Sequence, residues 1–247
     1  MLGVRVNAVQ IPEVVALMEQ WITTSDTGRY IAVTGMHGVS ESRRDWQFRN
    51  ILNEATLVVP DGMPLVWLGR LRGFSLKRRV YGPELMMQFC EATAHKGYRH
   101  FLYGGAEGVP EQLVKVLHSR CPNISVVGAY SPPFRALSAQ EEVEVVQRIT
   151  SASPHIVWVG LSTPKQEQWM AHFRDKVNVP VMVGVGAAFD FHIGKQQQAP
   201  LWMREHGLEW FFRLVTEPRR LWRRYLINGS DFVCNVCLEL LKLKRFD

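Results

Sequence analysis

Asp61 stands between Pro60 and Gly62, at the end of a short apolar run over residues 55–59. A carboxylate held there by stiff backbone is open to a ligand and can act as a general base toward a substrate hydroxyl. Asp is also a common helix cap, and a helix is predicted over 62–71, so spacing alone leaves both roles open. Lys77, Arg78 and Arg79 precede a second predicted helix over 83–96. They form either a solvated basic face or a site where one guanidinium turns inward, its planar fork suiting phosphate. Thr34 and His37 lie in TGMHG, at the end of the apolar run 30–34, and Lys165 and Gln166 add side-chain donors in PKQE. No D-x-D pair is present, and Asp190 and His192, two residues apart, are too few for a metal site. A departing diphosphate would therefore have to be stabilised by arginines.

The elements that must position these groups follow from hydrophobic periodicity. Residues 155–159 read as a buried strand stopped by Gly160, with Thr163 at a helix N-cap, Pro164 at the first helical position and Gln166 at capping-box spacing. A strand running into a capped helix presents free N–H groups and the positive end of a helix dipole at the strand's carboxyl edge, where open α/β sheets bind phosphates. The pattern repeats along the chain. Strands are predicted over 4–9, 30–34, 55–59, 99–103, 124–127, 155–159 and 181–185, with helices over 11–21, 40–53, 62–71, 83–96, 109–119, 138–151 and up to 176. Such alternation specifies an α/β fold, a Rossmann-like and mostly parallel sheet with helices on both faces. Gly104 and Gly105 shape a turn that lacks the full G-x-G-x-x-G, and Gly186 lies in a glycine-rich turn after the last strand.

Composition is that of a globular protein: 247 residues, 47% hydrophobic, 21% charged and a net charge of +6, which favours partners with phosphates or anionic surfaces. No run of 18 apolar residues exists, and no secretory signal is expected at the N-terminus. The lone Cys234–Cys237 CxxC lacks a second pair or histidines, and a reduced cytoplasmic compartment fits the four cysteines best. After residue 200 the chain changes character. GLEWFFRLVTEPRRLWRRYL interleaves aromatics and arginines at helical spacing, giving one apolar and one cationic face. This segment either lies on an anionic membrane or docks on the protein's own core with a solvated basic face. The cations cluster beside apolar residues instead of along a polar stripe, which disfavours nucleic acid. The expected organisation is an α/β core over 1–200 and a basic amphipathic, membrane-associating helical appendage over 201–247.

Taken together, PDGMPLVWLGRLRG, RVYGPELM, HFLYGG, VGLSTPKQEQWM, GVGAAFDFHIGK with QAPLWM, and GLEWFFRLVTEPRRLWRRYL resemble the WecG/TagA/CpsF family of bacterial glycosyltransferases, from about Thr34 to Leu226. The resemblance implies inverting transfer of a sugar from a UDP-sugar to a polyprenyl-diphosphate-linked saccharide, on the cytoplasmic face of the membrane and with neither metal nor other cofactor. Families of this kind build wall teichoic acid linkage units, enterobacterial common antigen and exopolysaccharides. By motif position, Asp61 would be the general base, Arg79 and Gln166 would line the pocket, and Thr34 would lie beside the acceptor or sugar. Arg213, Arg220 and Arg223 would reach the UDP diphosphate once the appendage folds over the site at the membrane. Gly104, Gly105 and Gly186 would shape the nucleotide end.

Many members carry an asparagine two residues after the threonine, where this chain has Gly35-Met36-His37. TGMHG, with SPPF at 131–134, resembles an exopolysaccharide branch, leaving a hexose or an N-acetylhexosamine as donor sugar and His37 as a pocket donor or rival base. Two other classes are compatible with the fold. A nucleotide-sugar-modifying Rossmann enzyme is disfavoured by the incomplete fingerprint and the missing Tyr-x-x-x-Lys, and a membrane-associated scaffold would show no UDP release. Oligomeric state is open, a homo-oligomer included.

Overall fold

A computed structural model of the chain describes residues 1–24 and 26–246, with the side chains of Arg220 and Arg224 outside that description. The first elements are α1 (Ile11–Thr23), β1 (Arg29–Thr34), α2 (Met36–Arg44), α3 (Trp46–Glu54), β2 (Leu57–Pro60), α4 (Met63–Leu71) and α5 (Gly82–Thr93). Then come β3 (Arg99–Gly104), α6 (Val109–Arg120), β4 (Ser125–Tyr130), α7 (Ala139–Ala152), β5 (Ile156–Gly160), α8 (Lys165–Phe173) and β6 (Val181–Gly184). Among the described residues that follow, the regular elements are helical: α9 (Ala188–His192), α10 (Leu201–Glu205), α11 (Glu209–Thr216), α12 (Pro218–Trp222), a π-helical turn (Arg223–Ile227) and α13 (Asn228–Leu240). The strands form one six-stranded sheet in the order β2-β1-β6-β5-β3-β4. The β1–β6, β5–β6, β3–β5 and β3–β4 pairings are parallel, so the chain is an α/β protein as the alternation predicted.

Contacts divide the chain into two compact units, one of residues 1–10, 34–81 and 198–247 and the other of residues 11–33 and 82–197.

In the second unit the inner strands are continuous β-branched and apolar runs, as strands covered on both faces must be. Ile156, Val157, Trp158 and Val159 of β5 and Val181, Met182 and Val183 of β6 are all fully buried, whereas every residue of the edge strand β4 is half-exposed. Register levels the carboxyl ends: Gly104 of β3 pairs with Gly160 of β5, and Val159 pairs with Gly184 of β6. Gly104 (φ +120°) allows this close approach, since a Cβ there would sit 2.6 Å from the Gly160 carbonyl oxygen.

The first unit is built around β2 and the helices beside it. Residues 4–9 form no strand. Asn7 satisfies β2 instead, its N–H donating to Val58 O (2.8 Å) while its side-chain oxygen accepts from Val58 N (2.9 Å). The single helix predicted over 40–53 is two helices, because Asp45 leaves helical geometry and caps α3 by accepting from Phe48 N at 3.0 Å. The C-terminal helix is fastened within this unit. Arg43 of α2 pairs with Asp231 of α13 at 2.5 Å, Asn228 donates to Glu41 at 3.0 Å, and Glu239 accepts from Arg72 at 2.6 Å and from Leu2 N at 3.2 Å. Cys234 and Cys237 lie exposed on this helix as free thiols. No helix of the described residues is long and apolar enough to cross a membrane.

Candidate active site

Three segments of the first unit meet at the end of β2. The Asp61 N–H donates to Thr34 O at 2.9 Å, and the Val80 N–H donates to Pro60 O at 2.9 Å, drawing residues 34, 60–61 and 79–80 together. Gly35 is required by this approach, because a Cβ there would lie 2.5 Å from the Asp61 carbonyl oxygen. The N-cap of α4 falls on Gly62 (φ +115°), not on Asp61, which sets aside the capping role that spacing left open. The Asp61 side chain, about one-third exposed, instead stands 3.8 Å from Arg79 Nη1.

Arg79 is the centre of the charge arrangement. Nη1 faces Asp61, Nη2 is ion-paired with Glu209 at the start of α11, and the guanidinium carbon lies 4.1 Å from the centroid of the Tyr81 ring. Both Arg79 and Glu209 are nearly buried, at 13% and 12% side-chain exposure, so their charges are far less screened than a surface pair. Burial alone would lower the Arg79 pKa, but Asp61 and Glu209 outweigh it and hold the pKa above its ordinary value. Tyr81 is held as a neutral phenol: burial raises its pKa first, Glu209 and Asp61 raise it further, and Arg79 and Arg213 oppose them. Arg213 is half-buried one turn after Glu209 on α11, on the same helix face. A second pair runs alongside, Arg78 to Glu205 at 2.5 Å, but its partners are exposed.

Thr34 is fully buried at the end of β1, and its Oγ1 has no hydrogen-bond partner among the described residues. His37 lies in the first turn of α2, with Nδ1 3.7 Å from Glu41 Oε1 and 3.4 Å from Asn228 Nδ2. Arg223 is exposed and lies over the Trp222 ring at 5.2 Å. The Arg220 side chain is outside the described residues. Glu209 is the residue that sequence reasoning missed. Its only signal was a position one helical turn before Arg213, inside a segment that reads as amphipathic surface.

Gln166, Gly104, Gly105 and Gly186 belong to the second unit. The capping box predicted at Thr163 does not form: the N-cap of α8 is Pro164, and Thr163 Oγ1 donates to Glu167 Oε1 at 2.9 Å. A buried carboxylate one turn on is the stronger acceptor, and it takes the hydroxyl away from the backbone. Gln166 is 1% exposed; its Nε2 donates to the same Glu167 oxygen at 3.0 Å and its Oε1 accepts from Gly186 N at 2.9 Å. Gln166 thus fixes the turn after β6. Gly186 takes a left-handed conformation there (φ +59°), and Gly105 (φ +76°) packs against Val109. Asp190 and His192 do not form a ligand pair, since His192 Nε2 lies 3.0 Å from Pro83 O and Asp190 Oδ1 lies 3.8 Å from Lys195 Nζ. No group of three or more His, Cys, Asp or Glu able to hold a metal occurs among the described residues.

The fold and these side chains define an α/β protein with a carboxylate and a guanidinium placed at the carboxyl ends of its strands, an arrangement suited to group transfer from an anionic substrate. The chain belongs to the glycosyl transferase WecG/TagA/CpsF family, whose model matches residues 1–246. It is 32% identical over 203 residues to an N-acetylglucosaminyldiphosphoundecaprenol N-acetyl-β-D-mannosaminyltransferase of Bacillus subtilis (strain 168), a match covering 82% of this chain and 77% of that one. A protein of the same description from Staphylococcus aureus (strain NCTC 8325 / PS 47) is 28% identical over 246 residues, covering 99% and 94% of the two chains. The chain is accordingly a glycosyltransferase by family.

Proposed function

We propose that this chain transfers a hexose or N-acetylhexosamine from a UDP-sugar to a polyprenyl-diphosphate-linked saccharide, with inversion at the anomeric carbon. The relatives act, by their descriptions, on an N-acetylglucosaminyl-diphosphoundecaprenol acceptor, which supports the acceptor class. The observation that carries the reading is the Asp61 carboxylate at the end of β2 with Arg79 3.8 Å away. Asp61 takes the proton of the acceptor hydroxyl, and that oxygen attacks the sugar carbon from the face opposite the leaving UDP. As the bond to UDP breaks, charge grows on the diphosphate. Arg79, beside Asp61, and Arg213, one turn after the Glu209 that pairs with Arg79, are assigned to meet it, with Arg220 and Arg223 further along the same C-terminal segment. Gln166, Gly104, Gly105 and Gly186 enter the proposal through the family resemblance, at the nucleotide end.

The enzyme is proposed to work at the inner face of the plasma membrane, held peripherally. Trp202, Trp210, Phe211, Val215, Trp222, Leu226 and Ile227 are all exposed on the C-terminal segment, next to its arginines, as in helices that lie in an anionic interface. The TGMHG variation supports an exopolysaccharide-type pathway as the setting. Mass spectrometry of the lipid products formed from a panel of UDP-sugars, with polyprenyl-diphosphate-N-acetylglucosamine as acceptor, tests the reading. One added sugar and stoichiometric UDP are expected; no lipid product with any donor would overturn it.

A further inference from the structure

We infer that Glu209 is a positioning residue for the transfer: its ion pair with Arg79 seats helix α11 on the end of β2 and so aims Arg213 at the site of the leaving group. The inference rests on the glycosyltransferase reading for what the seating accomplishes, and on geometry for the seating itself. Arg79 divides its fork between two carboxylates, Nη1 toward Asp61 and Nη2 toward Glu209, so one guanidinium links the end of a strand to the first residue of a helix 130 positions later. Two separate nitrogens are needed for this, which a lysine ammonium cannot offer in fixed directions.

The surrounding contacts show why Glu209 and not its neighbour bears the load. Arg78–Glu205 is the adjacent pair, but at 56% and 44% side-chain exposure it is a solvated contact of little energetic weight. The Arg79–Glu209 pair is nearly buried, and Tyr81 beneath it gives the guanidinium a ring face to stack on. Residue 207 makes the turn into α11 close enough to reach: Gly207 has φ +73°, and a Cβ there would meet the Trp67 ring at 2.7 Å. Arg213 follows Glu209 by one helical turn, and both act electrostatically on Tyr81. Fixing Glu209 therefore fixes the direction in which Arg213 points. A group of this kind never touches substrate; it acts through Arg79 and through the rotation of its own helix.

Two readouts on the full chain separate this role from the chemistry. In hydrogen–deuterium exchange, Glu209→Gln is expected to raise exchange across 209–216 while the amides of β3, β5 and β6 keep their protection. In vesicles carrying the lipid acceptor, the same variant is expected to lose at least about tenfold in kcat with a smaller change in the KM for UDP-sugar, because the interaction matters most when charge develops on the diphosphate. Glu209→Asp keeps the charge and is expected to lie closer to the parent in both measurements. Unchanged exchange in Glu209→Gln overturns the inference, and so does turnover at or above the parent's, which would make the pair a blocking contact. Glu209→Asp performing no better than Glu209→Gln would overturn it as well. If the parent transfers no sugar from any UDP donor, the functional reading falls, and the exchange comparison still decides whether Glu209 seats α11.

Discussion

The backbone carbonyl of Thr34 accepts the N–H of Asp61 at 2.9 Å, binding the last residue of β1 to the residue just past β2. The bond holds the main chain on either side of a carboxylate whose side chain is left facing Arg79. If Asp61 is the base, Asp61→Asn keeps this backbone bond and the side-chain volume while removing the proton acceptor. Turnover is expected to fall by about 10²- to 10⁴-fold, the usual worth of a positioned general base, with the melting temperature nearly unchanged. Single-turnover kinetics with saturating donor checks it. A loss under a few-fold would move the role elsewhere, with His37→Ala as the next measurement.

Gly35 tests the same junction by crowding. Its φ of −103° suits any residue, so backbone conformation is no obstacle, but a Cβ would stand 2.5 Å from the Asp61 carbonyl oxygen. Gly35→Ala is expected to destabilise the chain by about 1–3 kcal/mol, the range for overpacked sites, and to lower turnover by displacing Asp61. Chemical denaturation and the steady-state rate measure the two effects.

How much of this could be read from the chain depends on the distance over which each feature is decided. The strands around Val157 and Val183, and the helix that Ser138 opens with its capping box, are set by neighbouring residues and matched expectation within a few positions. Asp61 stood out because Pro60 and Gly62 flank it. Thr163 misled because a cap is a local signal, whereas its hydroxyl answers to the buried Glu167 carboxylate. Asn7 misled in the same way, replacing a strand ladder with its side chain. Glu209 carried no signal beyond its place one turn before Arg213: its importance comes from Arg79, and no periodicity links the two.

His100 makes stability depend on pH. It is fully buried on β3, and its Nδ1 accepts from Trp158 Nε1 at 3.1 Å, so the neutral ring carries its proton on Nε2. Burial first, and the nearby His155 second, lower its pKa from 6.5 to about 4. The unfolded chain therefore binds the proton more readily, and the stabilisation present above pH 6.5 is lost as pH falls toward 4, at most about 3 kcal/mol. His155 and His192, whose pKa values burial also lowers, act in the same direction. Denaturation midpoints between pH 7.5 and 4.5 should fall in the parent and fall less steeply in His100→Asn.

The exposed aromatics of the C-terminal segment predict a membrane footprint. Trp210 and Phe211 are 41% and 50% exposed at the start of α11. The combined variant Trp210→Ala/Phe211→Ala is expected to weaken partitioning onto anionic vesicles by about tenfold or more, as loss of two large apolar side chains from an interface would. Raising the salt should weaken the parent's binding too, because the adjacent arginines act through screened charge. Cosedimentation with vesicles of phosphatidylglycerol and phosphatidylethanolamine reads both. Equal binding of parent and variant would remove the C-terminal segment from the interface.

Gln166 is expected to report on architecture before it reports on substrate. Its amide closes a buried chain, donating to Glu167 Oε1 at 3.0 Å and accepting the Gly186 N–H at 2.9 Å. Gln166→Ala leaves that N–H and one carboxylate lone pair without their partner, costing about 1–3 kcal/mol. Gln166→Glu is expected to cost more, because it replaces the amide that donates to Glu167 Oε1 with a second oxygen acceptor facing a side chain that is 0% exposed. Thermal melts without any substrate decide the matter: a residue that only bound the donor would leave them unmoved and raise the KM alone, whereas the bonds seen here require the melting temperature to drop in both variants.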